Sequence, residues 1–149
     1  KKIKEALALA CFGENSLARV QEKNLVGFFE NILDAKHREA LARECPATFL
    51  APTGNRMKIQ YSETQGPQVE IRLQELFGMP QAPLIAGQSL TLILLGPNYR
   101  PVQITRDLAS FWKNGYLEVR KELRSRYPKH SWPEDPLTAP PQSRGRPRK

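Results

Sequence analysis

The sequence predicts an α+β fold: N-terminal helices, then an antiparallel four- to five-stranded meander, then a C-terminal amphipathic helix and a mobile basic tail. Three observations carry this expectation. Apolar residues recur every three or four positions before Pro46 and every second position after it, and those are the periods of helix and strand. The turn sequences PTGNR at 52–56 and GPNYRP at 96–101 separate alternating runs, as short connections in a meander do. From Thr105 to Pro128 the helical spacing returns.

The first stretch, Glu5 to Glu44, reads as two or three helices. Leu25, Phe28, Phe29, Ile32 and Leu33 form an apolar stripe, and Gly13-Glu14-Asn15-Ser16 has turn composition with Ser16 placed to cap the next helix. Asp34 to Arg43 either continues the second helix or forms a third. Beyond Pro46, MKIQYS alternates Met57, Ile59 and Tyr61 against Lys58 and Gln60, and QVEIRLQELFG alternates Val69, Ile71 and Leu73 against Glu70 and Arg72. LTLILLG and VQIT complete the strands on either side of GPNYRP. In the following helix Thr105 is a suitable N-cap, Asp107 sits where the dipole favours an anion, and Pro128 stops the helix. At ~100° per residue, Leu108, Phe111, Trp112, Val119 and Leu123 share one side and Lys113, Arg120 and Arg124 nearly the opposite one. Gly115 costs ~1 kcal/mol inside a helix, which points to a close approach there or to a helix in two pieces.

Composition narrows the function classes. The formal charge is +8, and eleven Lys and Arg against five Asp and Glu lie from Arg106 to Lys149. A cationic end suits a polyanion such as nucleic acid, and a solvated face equally well. The most continuous apolar run, SLTLILLG at 89–96, is far shorter than the ~20 residues of a membrane helix, so no membrane partner is expected and the localisation expected is cytoplasmic. Cys11 and Cys45 form no CxxC pair, and with His37 and His130 distant from each other they make no zinc site.

Motifs of nucleotide and metal chemistry are missing. No glycine is followed by lysine, which excludes GxxxxGK[ST], and GxGxxG, HExxH and GxSxG do not occur. In SRYPKHSWPEDP, His130 with Glu134 and Asp135 supplies too few convergent ligands for a metal and no fixed acid/base partner. Tyr127 and Trp132 either stack on bases or pin the chain leaving the helix. Lys113, Arg120, Lys121, Arg124, Arg126 and Lys129 are the primary nucleic-acid candidates, with Arg100 and Arg56 at the two turns as secondary ones. No catalytic, cofactor-binding or metal-ligating residue is assigned.

RPVQITRDLASFWKNGYLEVRKELRSRYPKHSWPEDP at 100–136 resembles the C-terminal signature of the HrpB-type bacterial ATP-dependent RNA helicases of the DEAH/RHA group in superfamily 2, and PTGNRMKIQYS and VEIRLQELFG resemble that family's upstream segments in the same order. The resemblance implies that the parent protein is an RNA-dependent ATPase using ATP and Mg, with its catalytic motifs in motor domains not represented here. It implies for this chain a non-catalytic accessory domain that assists RNA binding, or alternatively a module that packs on the helicase core or docks a partner. The expected organisation is a helical segment at 1–45 continuing from an upstream domain (the chain opens KKIKEALALA, without an initiating methionine), an α+β accessory domain at 46–136, and a disordered basic tail at 137–149.

Overall fold

A computed structural model describes residues 2–23 and 25–143. The chain divides into two compact units after Glu44.

The first unit is helical: α1 (Lys2–Cys11), α2 (Leu17–Gln21), α3 (Leu25–Ile32) and α4 (Ala35–Glu44). Ser16 Oγ accepts from the Arg19 backbone N–H at 3.4 Å and so caps α2. Asp34 opens α4 as a separate helix, its Oδ1 accepting from the His37 backbone N–H at 2.9 Å. Helix α1 packs on α3, and Lys23 ties the turns between them by donating to the Ala10 carbonyl and pairing with Glu14 at 2.7 Å. Phe28, Ile32 and Leu33 of the apolar stripe are half-buried; the side chains of Leu25 and Phe29 lie outside the described residues.

The second unit is mixed α+β, but its strands do not form one antiparallel meander. A small sheet pairs β1 (Thr48–Leu50) antiparallel with β2 (Arg56–Lys58). The main sheet runs β3 (Gln60–Ser62), β4 (Gly66–Arg72), β7 (Thr91–Leu95), β8 (Pro101–Thr105), and a separate two-residue hairpin pairs β5 (Leu84–Ile85) with β6 (Gln88–Ser89). The pairing of β4 with β7 is parallel, with Val69 beside Leu92 and Ile71 beside Leu94. Strand β7 is near-continuously apolar, as strands of a parallel pair are, whereas β4 alternates Val69 and Ile71 with Glu70 and Arg72; alternation finds a strand but gives no direction for it. The MKIQYS run also splits. Ile59 turns inward between β2 and β3, which belong to different sheets, and Tyr61 is left half-exposed with its hydroxyl donating to the Pro46 carbonyl at 2.6 Å.

Strand β4 ends at Arg72 and passes into a 3₁₀ turn, Leu73–Leu76, all four residues of which are buried. Val69, Ile71, Leu73, Leu76, Phe77, Leu92 and Leu94 form one apolar cluster with Leu108, Phe111, Trp112, Tyr116 and Leu123 of the following helical segment. That segment consists of α5 (Leu108–Ser110), a π-helical turn (Phe111–Gly115) and α6 (Tyr116–Arg126). A π turn takes up more residues per revolution than an α turn, so it moves the buried face round. Tyr116 is fully buried after the turn, and Arg120 is drawn in to half-burial. Gly115 makes the turn feasible: a Cβ there would lie 2.9 Å from the Phe111 ring, and that ring is held against Trp112 and Tyr116. Gly115→Ala gains about 1 kcal/mol of helix propensity but overpacks the core at a cost of about 1–3 kcal/mol. A lower melting temperature is therefore expected; an unchanged or raised one would show that Phe111 gives way.

The cap of the segment is Asp107, two residues beyond the predicted Thr105. Asp107 Oδ1 accepts from the Ser110 N–H at 3.0 Å, while the Thr105 hydroxyl bonds both backbone groups of Asp107. Gln81 completes the cap from a distant loop by accepting from Leu108 N–H at 2.9 Å and donating to Asp107 Oδ1 at 3.1 Å. The Ser110 N–H and then the Gln81 amide hold the Asp107 carboxyl below its ordinary range. A carboxylate whose folded pKa is depressed stabilises the fold above its unfolded value, about 3.9, and loses that contribution as pH falls through the folded value. Asp107→Asn should thus melt below the native chain at neutral pH and converge with it on acidification. Parallel thermal melts across pH 2–7 check this, and curves that stay parallel would refute it.

The predicted tail is corrected in part. Residues 137–143 run back over the 3₁₀ turn: Gly78 N–H donates to the Pro136 carbonyl, Gln142 N–H donates to the Gln74 carbonyl at 2.9 Å, and the Arg72 guanidinium donates to the Ser143 carbonyl. Low apolar content alone suggested a free segment, whereas backbone hydrogen bonds and the guanidinium hold it. Residues 144–149, including the tail's cations, lie outside the described residues.

Candidate nucleic-acid interface

Helix α6 and the turns on either side of it position most of the predicted cations. Arg120 and Arg124 line a cleft of about 600 Å³ with Pro128, His130, Trp132 and Glu134. On another side of the helix, Arg126 lines a cleft of about 310 Å³ with Tyr127 and with Arg100 and Asn98 of the 96–101 turn. The structure thus joins Arg100, predicted as a separate turn residue, to the helix. Lys121 and Lys129 are exposed nearby in sequence but line neither cleft, and neither do Lys113 and Arg56, which are exposed on the π turn and on β2.

These cations differ in their freedom. Arg120 Nε donates to the Trp132 carbonyl at 2.9 Å and its guanidinium lies 3.7 Å from the exposed Glu134 carboxylate, so Arg120 clamps the post-helix segment. Arg126 lies 3.3 Å from Glu122 one turn earlier, with both side chains exposed, a pairing that contributes little. Among the described residues, Lys113, Lys121, Arg124, Lys129, Arg100 and Arg56 have no carboxylate within ion-pairing distance.

Of the two roles open to the aromatic residues, the geometry favours anchoring. Trp132 is buried and its indole N–H donates to the Tyr127 carbonyl at 2.8 Å. Tyr127 is half-buried against the core and meets His130 edge-on at 6.2 Å. Tyr116, which is fully buried, holds the same segment through a 2.7 Å hydrogen bond from its hydroxyl to the Pro133 carbonyl, and burial pushes its pKa up to about 12. The histidine of SRYPKHSWPEDP is lowered in pKa by burial and then by the Arg72 charge. Its acidic neighbours face elsewhere, Glu134 towards Arg120 and Asp135 onto the Leu137 N–H. No group of three metal-ligating side chains occurs among the described residues.

A second cavity lies over β4 and the 3₁₀ turn. It has a volume of about 600 Å³ and is lined by Asn55, Met57, Glu70, Ile71, Arg72, Glu75, Leu95, Tyr99 and Ser143. Arg72 and Glu75 are more than nine-tenths buried, although strand alternation placed Arg72 outside. The only sequence sign of this site was the pair of polar residues Gln74-Glu75 within the otherwise apolar LQELFG.

The chain belongs to the ATP-dependent helicase C-terminal family, HrpB_C, whose model matches residues 7–136. It is 42% identical over 134 residues to the ATP-dependent RNA helicase HrpB of Escherichia coli (strain K12), which covers 89% of this chain and 17% of that protein. Two crystal structures share the fold. One, of the E. coli DExH-box NTPase HrpB, has a TM-score of 0.82 and 40% identity over 93% of this chain and 18% of the other. The second, of the E. coli DEAH/RHA helicase HrpB, has a TM-score of 0.63 and 40% identity over 87% and 17%. The chain therefore spans about a sixth of these relatives' length, and it resembles them in their C-terminal helicase module. No helix among the described residues is long and apolar enough to cross a membrane.

Proposed function

We propose that this chain is a non-catalytic C-terminal accessory domain of a cytoplasmic ATP-dependent RNA helicase and that it helps hold RNA beside the motor domains. The helical residues 1–45 would continue from an upstream domain of that protein. ATP and Mg would bind in those motor domains, since the chain carries none of the sequence motifs that hold them. The observation that carries the reading is the placement of Arg124 on one cleft along α6 and of Arg126 with Arg100 on another, with Arg124 and Arg100 free of carboxylate partners among the described residues. RNA phosphates supply the missing anions, and their released counterions make such binding fall steeply with salt. Fluorescence anisotropy with single-stranded RNA tests it: binding at low salt that weakens as salt rises is expected, and no binding at low salt would refute it.

One observation favours a second reading, a docking module. On the far face of the main sheet Ile93 and the exposed Ile104 line a shallow cleft with Gln68 and Thr91. If that face packs on the helicase core, Ile104→Asp would weaken association with the motor domains and leave RNA affinity unchanged.

A further inference from the structure

We propose that the cavity over β4 binds an unpaired guanine base of the RNA. The inference rests on the RNA-binding reading above and adds a base-recognising pocket to it.

Two buried charges face this cavity without satisfying one another. Glu75 is 3% exposed; its Oε1 accepts from the Asn55 amide at 2.7 Å, and its Oε2 is buried with no hydrogen-bond partner among the described residues. Arg72 is 6% exposed; its two terminal nitrogens donate to Ser143 and Gln74, and its Nε has no acceptor among the described residues. No carboxylate lies within 4.0 Å of Arg72 among the described residues. Unpaired buried charge is costly enough that it points to a guest.

The two charges select the guest. A phosphate would meet Glu75 and, at the rim, Glu70; a lysine or arginine side chain would meet the Arg72 guanidinium. A neutral group that carries adjacent donors and an acceptor satisfies both. The guanine edge presents N1–H and N2–H side by side, which suit a carboxylate, and O6 and N7, which suit an arginine. Adenine presents an acceptor at N1, and uracil flanks its single N–H with two acceptors, so both set lone pairs against Glu75.

The walls fit a flat ring. Met57, Ile71 and Leu95 are apolar, and Tyr99 lines the cavity with its ring face 5.4 Å from the Arg72 guanidinium. Tyr99 is 66% exposed and held at φ 60°, a left-handed conformation costly for a bulky residue and found where surrounding structure imposes it for function. It belongs to the turn that carries Asn98 and Arg100 into the cleft beside Arg126. A strand following those two cations therefore passes the mouth of the cavity.

Titration of the full chain with GMP and with AMP, read by ¹H–¹⁵N NMR, tests the pocket apart from any RNA strand. GMP is expected to shift the Arg72 Nε–H and the Tyr99 amide and to bind about tenfold more tightly than AMP, with the difference abolished in Glu75→Gln. Equal responses to the two nucleotides, or no response to GMP, overturn the proposal, as does an arginine-rich peptide that moves these signals where GMP does not. If Glu75→Gln fails to fold, the native-chain comparison alone decides. Anisotropy with oligouridylate carrying one guanosine or one adenosine then separates the two readings. Salt-sensitive binding without GMP discrimination leaves the basic surface standing and removes the pocket. GMP discrimination without RNA binding does the reverse.

Discussion

Trp112→Ala is expected to destabilise the second unit by about 3–5 kcal/mol, the range for deleting a buried tryptophan. Trp112 is 6% exposed, its ring centroid lies 5.2 Å from Phe111, 5.4 Å from Tyr116 and 6.3 Å from Phe77, and its indole donates to the Met79 carbonyl at 2.8 Å. The substitution removes the hub of the aromatic cluster and leaves that carbonyl without its donor. Domains of this size hold only about 5–15 kcal/mol in total, so a loss of this order takes a large part of the reserve. Urea unfolding followed by far-UV circular dichroism measures it. A fall below about 1 kcal/mol would mean that the cluster collapses into the space or that the helical segment packs differently.

The second large effect concerns binding. The triple variant Lys121→Ala, Arg124→Ala, Arg126→Ala should lower single-stranded RNA affinity on the order of tenfold to a hundredfold at low salt. It should also flatten the dependence of log affinity on log salt by about two, since each lost phosphate contact removes ~0.7. Arg120 was grouped with Arg124 on the helical wheel, yet it is the informative control. Its Nε is committed to the Trp132 carbonyl, and a hydrogen bond from a charged group contributes about 1.5–3 kcal/mol. Arg120→Ala should therefore cost stability and leave the salt slope unchanged. A triple variant that binds as the native chain does would move the RNA surface off α6.

The contrast between Arg120 and Arg124 shows where sequence reasoning held and where it stopped. A uniform rotation of ~100° per residue placed Leu108, Phe111, Trp112, Val119 and Leu123 on one face, and all but the half-buried Val119 are buried. The same rotation placed Lys113, Arg120 and Arg124 opposite them, but the π turn at Phe111–Gly115 breaks the uniformity and carries Arg120 inward. Gly115 was the one legible sign of it. The strand runs were found by alternation, whereas the parallel pairing of β4 with β7 depends on contacts between residues some twenty positions apart, which local spacing does not encode. Arg72 and Glu75 were hidden for a related reason: as charged residues in a strand and its continuation they read as solvent-facing, and only the chain folded over them buries them. The family, by contrast, was legible at once, because WPEDP and LQELFG are sequence marks that need no geometry.

The returning segment 137–143 also shifts the unit's physical limit away from its evolutionary one. The family match closes at residue 136, yet Gln142 and Ser143 contribute hydrogen bonds to the 3₁₀ turn and to Arg72. A Pro-rich stretch low in apolar content closes over the buried 3₁₀ turn of LQELFG. The integrity of the module is thus decided in part by residues outside its recognisable signature.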